Sequence, residues 1–127
     1  MNDTQFSFRK RLKSFVYAFR GIGFLVRNEH NARIHLVAAV AAVAAGFLLG
    51  ITAVEWTVIV LVIGAVLAAE AFNSALEALC DLVSPGYHES IKKAKDLAAG
   101  AVLLVAIAAA VIGSVIFLPR ILTLLNN

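Results

Sequence analysis

Polar and apolar positions divide the chain into one mixed segment followed by three apolar ones. Phe8, Leu12, Phe15, Phe19 and Ile22 recur at spacings of four, three, four and three residues, which is one face of a helix. Arg9, Lys10, Lys13 and Arg20 fall off that stripe. The pattern predicts an amphipathic helix over about 7–27, lying in the headgroup region with its rings toward acyl chains and its cations toward lipid phosphates. A basic helix packed on a partner protein has the same signature and stands as the alternative. Three apolar helices follow, over about 34–49, 55–82 and 96–118. The two longer ones exceed the ~18 residues that read as a bilayer crossing. Gly50, Ile51 and Thr52 make a short turn, and Trp56 suits a membrane interface. Ser84-Pro85-Gly86 ends the second span, because proline disfavours helix in the residue before it and glycine permits the turn. A polar loop with Lys92, Lys93 and Lys95 is expected next, and Pro119 with Arg120 is expected to close the third span.

Composition changes the picture in one respect: it names the solvent. Hydrophobic residues make up 61% of 127 residues, against roughly 45–50% in soluble domains. A chain this short has no interior large enough to hide that surface, so lipid is its expected surroundings and one domain over 1–127 its expected organisation. The first 33 residues carry seven basic side chains and no uninterrupted apolar core, which does not read as a signal peptide. Cys80 is the only cysteine, so no intrachain disulfide is possible, and no metal-type Cys/His spacing occurs. The basic residues sit beside apolar spans, which points to anionic lipid headgroups as partners and not to nucleic acid.

The same charges orient the chain. Seven Lys or Arg precede the first span, three lie between the second and third, none lies between the first and second, and only Arg120 is left for the far side. The positive-inside rule then gives a multi-pass protein of the bacterial cell (inner) membrane with a cytoplasmic N-terminus. Small residues along the spans, such as Ala38, Ala41, Ala65, Ala68, Ala106 and Gly113, suit close helix packing in lipid. Three helices leave much surface exposed, so a homo-oligomer is expected.

Chemistry enters with the second span. Glu70, Asn73, Glu77 and Asp81 stand at i, i+3, i+7 and i+11, within an arc of roughly 80° on a helix. A carboxylate at the bilayer centre costs on the order of 2.5–3.5 kcal/mol, less near the interface, and such residues are functional by default. For Glu77 and Asp81 the competing account is a position already beyond the headgroups, and for Asp81 the two are evenly matched. For Glu70 the apolar run from Val58 to Ala69 directly before it weighs against that account. Glu29 and Lys95-Asp96 lie at the same ends of their helices as Glu77 and Asp81. Two carboxylates and an amide oxygen suit Mg²⁺, a hard cation that shares substrate phosphates. The set reads as phosphoryl transfer, with Glu70 as the base toward an alcohol embedded in lipid. No G-x-x-x-x-G-K-[ST] loop is present, so the nucleotide site is of another design.

Glu70-Ala-Phe-Asn73-Ser74-Ala75-Leu-Glu77 with Asp81, Tyr87-His88-Glu89, and Ala94-Lys95-Asp96 followed by Gly100-Ala101 resemble the small prokaryotic lipid kinases, the diacylglycerol kinase/undecaprenol kinase family. Tyr17-Ala-Phe-Arg-Gly21 and Asn28-Glu29 extend the likeness to about residues 8–119. The resemblance implies an all-α integral membrane fold: an amphipathic surface helix, three transmembrane helices, and a homotrimer whose active sites are shared between subunits. It implies transfer from ATP, with Mg²⁺, to a lipid alcohol. By matching position, Glu70 is the catalytic base and an acceptor contact, and Glu29 and Glu77 are the metal ligands. Nucleotide contacts fall on Lys10, Tyr17, Glu29, Asn73, Glu77, Gly86, His88, Lys95 and Asp96, with Asp81 in support. Lys10 replaces an arginine found in the proteobacterial members, keeping charge without the bidentate fork. Gly86 stands where an acidic residue is common.

The acceptor is read from Asn31-Ala-Arg33-Ile34-His35, Glu55-Trp56, Ala98-Ala99-Gly100-Ala101 and Ile116-Phe117-Leu118-Pro119, which lean to the undecaprenol branch. Asn31, His35, Trp56 and Ala99 are the acceptor contacts this implies, with diacylglycerol as the other substrate reading. For His35 a bond inside the helix bundle competes with contact to the lipid. A reading of another class, a non-catalytic assembly or transport subunit, asks for polar groups across the whole membrane depth. Here they crowd one end.

Overall fold

The computed structural model describes residues 6–126. They form four helices in chain order: α1 (Phe8–Asn28), α2 (His30–Leu49), α3 (Ala53–Val83) and α4 (Glu89–Leu125). The last three are long and apolar enough to cross a membrane.

α1 starts at Ser7, whose hydroxyl oxygen accepts from the Lys10 N–H. Its apolar stripe stays uncovered, with Phe8 and Phe19 both 70% exposed, and Leu25 is its one buried residue. The helix breaks at Glu29, which is extended. Arg33, in the first turn of α2, reaches back across the break: Nε donates to the Val26 carbonyl at 2.9 Å and Nη2 to that of Arg27. A cation thus meets the orphan carbonyls at the negative end of α1, and the joint is fixed.

The α2–α3 turn is narrow because Gly50 adopts the left-handed conformation (φ 60°), which lets the Ile51 N–H donate back to Gly46 O at 3.2 Å. Trp56 lies over Gly46, so close that a Cβ there would come within 2.7 Å of the indole. Thr52 and Glu55 form a reciprocal capping box at the start of α3. α3 and α4 run antiparallel and are pinned at both ends. Arg120 forks onto Glu55 at 2.9 and 2.7 Å, and Lys95 meets Asp81 at 3.0 Å. The small core gathers Ile51, Ile59 and Ile116, with Trp56 and Phe117 against it, at the turn end of the bundle. Most other large apolar side chains face outward, Leu61 at 73% and Leu104 at 72% exposure among them.

Two expectations need correction. Lys92, Lys93 and Lys95 are helical, in the first turns of α4, and only residues 84–88 remain as connection. His88 caps this helix, its Nδ1 accepting from the Ser90 N–H, and Lys92 pairs with Asp96 one turn on. Nor does Pro119 end α4, which continues to Leu125. Proline removes only the bond to the Val115 carbonyl. Beside it, Arg120 donates to the Ile116 carbonyl at 2.8 Å, and the Thr123 hydroxyl donates to Pro119 O at 2.9 Å.

Candidate active site

The α3 stripe descends from burial to exposure as it approaches the α3–α4 connection. Glu70 is buried at 2% exposure, Asn73, Ser74 and Glu77 are half-buried, and Asp81 is exposed. Glu70 Oε1 lies 3.1 Å from Nε2 of His35 on α2. The approach is close but not aligned as a hydrogen bond, and Oε1 has no other partner. One turn on, Asn73 Nδ2 donates to Glu77 Oε1 at 3.4 Å, leaving the buried Asn73 Oδ1 and Ser74 Oγ unpartnered. Three buried oxygens without partners within one turn are unusual, since nearly all such atoms are satisfied in folded proteins.

Beyond Glu77 the stripe opens into a cleft of about 300 Å³ lined by Asp81, Gly86, Tyr87, His88, Lys95 and Asp96 with their neighbours. Ser84 Oγ donates to Gly86 O at 3.2 Å and shapes its rim. Lys95 lies ahead of the apolar stretch of α4. The Asp81 carboxylate, through its hydrogen bond first and its charge second, holds the Lys95 ammonium above the usual lysine range. Exposed pairs such as Lys95–Asp81 and Lys92–Asp96 contribute little to stability, so an anion can take either lysine over.

The expected residues are therefore only partly assembled. Gly86, His88, Lys95, Asp96 and Asp81 share one cleft, with Asn73 and Glu77 above it on the same stripe. Glu29 is half-buried at the α1–α2 corner, and Asn31 is exposed beside it. Lys10 and Tyr17 are exposed on α1, and Ala99 is exposed on α4. Trp56 stands at the opposite end of α3, about 21 Å from Glu70 at 1.5 Å per residue, packed on Gly46 and Phe47. Among the described residues no three His, Cys, Asp or Glu side chains form a metal-holding group, so Glu29, Glu70 and Glu77 do not converge within one chain. Glu70 has turned to His35, Glu77 to Asn73, and Asp81 to Lys95. The donor set still suits a hard cation, because Glu77 and the orphaned Asn73 Oδ1 are oxygen ligands on adjacent turns. Sequence reading passed over Lys92, which lines the cleft and bonds Asp96 at 2.7 Å. Its i, i+4 spacing to Asp96 was the available signal.

Residues 16–117 match the prokaryotic diacylglycerol kinase family. The chain belongs to this family. It is 43% identical over 109 residues to the undecaprenol kinase of Bacillus subtilis, covering 86% of this chain and 89% of that protein. It is 44% identical over 115 residues to a diacylglycerol kinase of Synechocystis, covering 90% of this chain and 66% of the relative. Identity to the diacylglycerol kinase of Escherichia coli is 30% over 111 residues, or 87% and 91% of the two chains. The protein is an ATP-dependent lipid kinase and, with its three apolar helices, a multi-pass membrane protein.

Proposed function

We propose that this kinase transfers the γ-phosphate of ATP to undecaprenol, yielding undecaprenyl phosphate, with Glu70 as the base. The observation that carries the reading is the row of unpartnered oxygens at Glu70, Asn73 and Ser74, on the stretch of α3 between Leu67, which lines an apolar cavity, and Asp81, which lines the polar cleft. The cavity, of about 240 Å³, lies between α2, α3 and α4 and is lined by apolar side chains, among them Ile59, Val66, Leu67 and Phe117, together with His35. An apolar hole of ~150 Å³ takes a benzene ring, so this one has room for roughly ten carbons, the first two isoprene units of a single chain. Diacylglycerol is the second reading, favoured by the 44% identity to the Synechocystis diacylglycerol kinase.

Depth supports the assignment of roles. With Trp56 at the outer interface and a hydrocarbon core ~30 Å thick, Glu77 falls about 32 Å along α3, at the inner edge, and Glu70 about 10 Å short of it. Glu70 then meets an alcohol anchored in lipid, while Glu77, Asp81, Lys95 and Asp96 meet a water-soluble nucleotide. In the transfer, the Glu70 carboxylate takes the hydroxyl proton. The alcohol oxygen forms the new bond to the γ-phosphorus, and the bond between that phosphorus and the β–γ bridging oxygen breaks to release ADP. Glu29 and Glu77, with Asn73 Oδ1 near, would hold Mg²⁺, which when bound neutralises phosphate charge. Lys95 exchanges Asp81 for phosphate, while Gly86, His88 and Asp96 border the nucleotide. Lys10 and Tyr17 reach it from α1, and Asn31, His35, Trp56 and Ala99 line the path of the lipid.

In this reading α1 is a surface helix on anionic lipid at the cytoplasmic face of the cell membrane, and the kinase is a homotrimer with shared active sites. The bare stripe of α1, the outward apolar faces of α2–α4 and the incomplete single-chain site support both statements. The test is transfer of labelled phosphate from ATP to undecaprenol and diacylglycerol, assayed side by side with purified protein. The reading expects undecaprenol to have the higher kcat/KM. A clear preference for diacylglycerol would replace undecaprenol with the second reading.

A further inference from the structure

Glu70 is nearly sealed from solvent, and a carboxylate so placed needs something to hold it. Among the described residues the candidates can be enumerated. On its own helix the nearest ionisable group is Glu77, two turns away and engaged by Asn73. The stretch of α4 packed on α3, from Leu97 to Leu118, contains no ionisable side chain. On α2, His30 is exposed and Arg33 is spent on the α1 carbonyls. At the end of α1, Arg27 is exposed. His35 remains, with Nε2 at 3.1 Å from Oε1 and the imidazole half-buried and lining the apolar cavity.

We propose that His35 is a positioning residue for the catalytic carboxylate: its Nε2 fixes Glu70 Oε1, so that Oε2 faces the acceptor hydroxyl. This deepens the reading of Glu70 as the base and rests on it. A small rotation of the imidazole turns the close contact into an aligned hydrogen bond and satisfies the orphaned Oε1. Without that anchor the carboxylate is free to swing, and a misplacement of about 1 Å costs on the order of 100-fold in rate. His35 also stands between Glu70 and the cavity, so the lipid and the base are registered by one side chain.

The variants exploit reach. A Gln amide extends to the place of imidazole Nε2, whereas an Asn amide stops near Nδ1. With saturating ATP and lipid alcohol, His35→Ala and His35→Asn are expected to lose roughly 100-fold in kcat, with KM for ATP unchanged. His35→Gln is expected to recover most of that loss. A rise in KM for the lipid with kcat intact would overturn the proposal and make His35 a plain acceptor contact. A second readout does not depend on turnover: nitrogen NMR of histidine-labelled protein, which has three histidines. On Glu70→Gln the His35 ring signals should move while those of His30 and His88 stay. Unmoved His35 signals would also overturn the proposal. If the wild type phosphorylated no lipid alcohol, the kinase reading would fail while this contact was still decided by the spectra.

Discussion

At the scale of single residues, the account turns on what each carboxylate faces. Glu70 has one imidazole, Glu77 one amide and Asp81 one ammonium, a gradient from apolar to aqueous surroundings along one helix face. In the proposed site, replacing Glu77 removes an oxygen from the metal–phosphate end while leaving the lipid end alone. Glu77→Ala is therefore expected to weaken ATP binding and shift the Mg²⁺ titration to higher concentration together, by roughly tenfold or more, as for loss of a ligand-shell group. An unchanged Mg²⁺ titration would remove Glu77 from that role. The burial of Glu70 was legible in the sequence, because the apolar run from Val58 to Ala69 leaves it no water. Its partner was not: Glu70 and His35 lie on different helices, and one sequence does not say which face of α2 meets which face of α3. The Asp81–Lys95 pair was hidden for the same reason.

At the scale of elements, hydropathy and punctuation carried most of the information. Ser84-Pro85-Gly86 does end α3, and Gly50 does make the turn after α2. What misled was the equation of polar with loop: three lysines ahead of an apolar run still form helix once His88 caps it and Asp96 pairs with Lys92. Pro119 misled in the opposite way, since one missing N–H does not stop a helix that has further apolar turns to bury. The α2–α3 turn carries a prediction of its own. Gly46 leaves no room under Trp56, where a Cβ would lie 2.7 and 2.8 Å from two ring carbons. Gly46→Ala is expected to destabilise the fold by about 1–3 kcal/mol, the usual cost of overpacking. Thermal melting in detergent, followed by tryptophan fluorescence, should show a lower Tm. An unchanged Tm would mean that the turn yields freely.

At the scale of the whole molecule, one chain does not bring the proposed metal ligands together. Its core is a few isoleucines and an indole at one end, its outward faces are apolar, and its acidic residues each hold separate partners. Outward apolar faces suit a protein whose surroundings are lipid, which composition already indicated, and how the separate acidic residues are brought together was not legible beyond the expectation of an oligomer. Membership of the prokaryotic diacylglycerol kinase family fixes the class of chemistry. The proposed function assigns that chemistry to the acidic stripe of α3. The most direct measurement is transfer of labelled γ-phosphate from ATP to undecaprenol by wild-type and Glu70→Gln protein, each purified as an oligomer of the same size. Wild-type transfer with none detectable from Glu70→Gln, at unchanged ATP affinity, is the predicted result; near-normal turnover by Glu70→Gln would contradict the account.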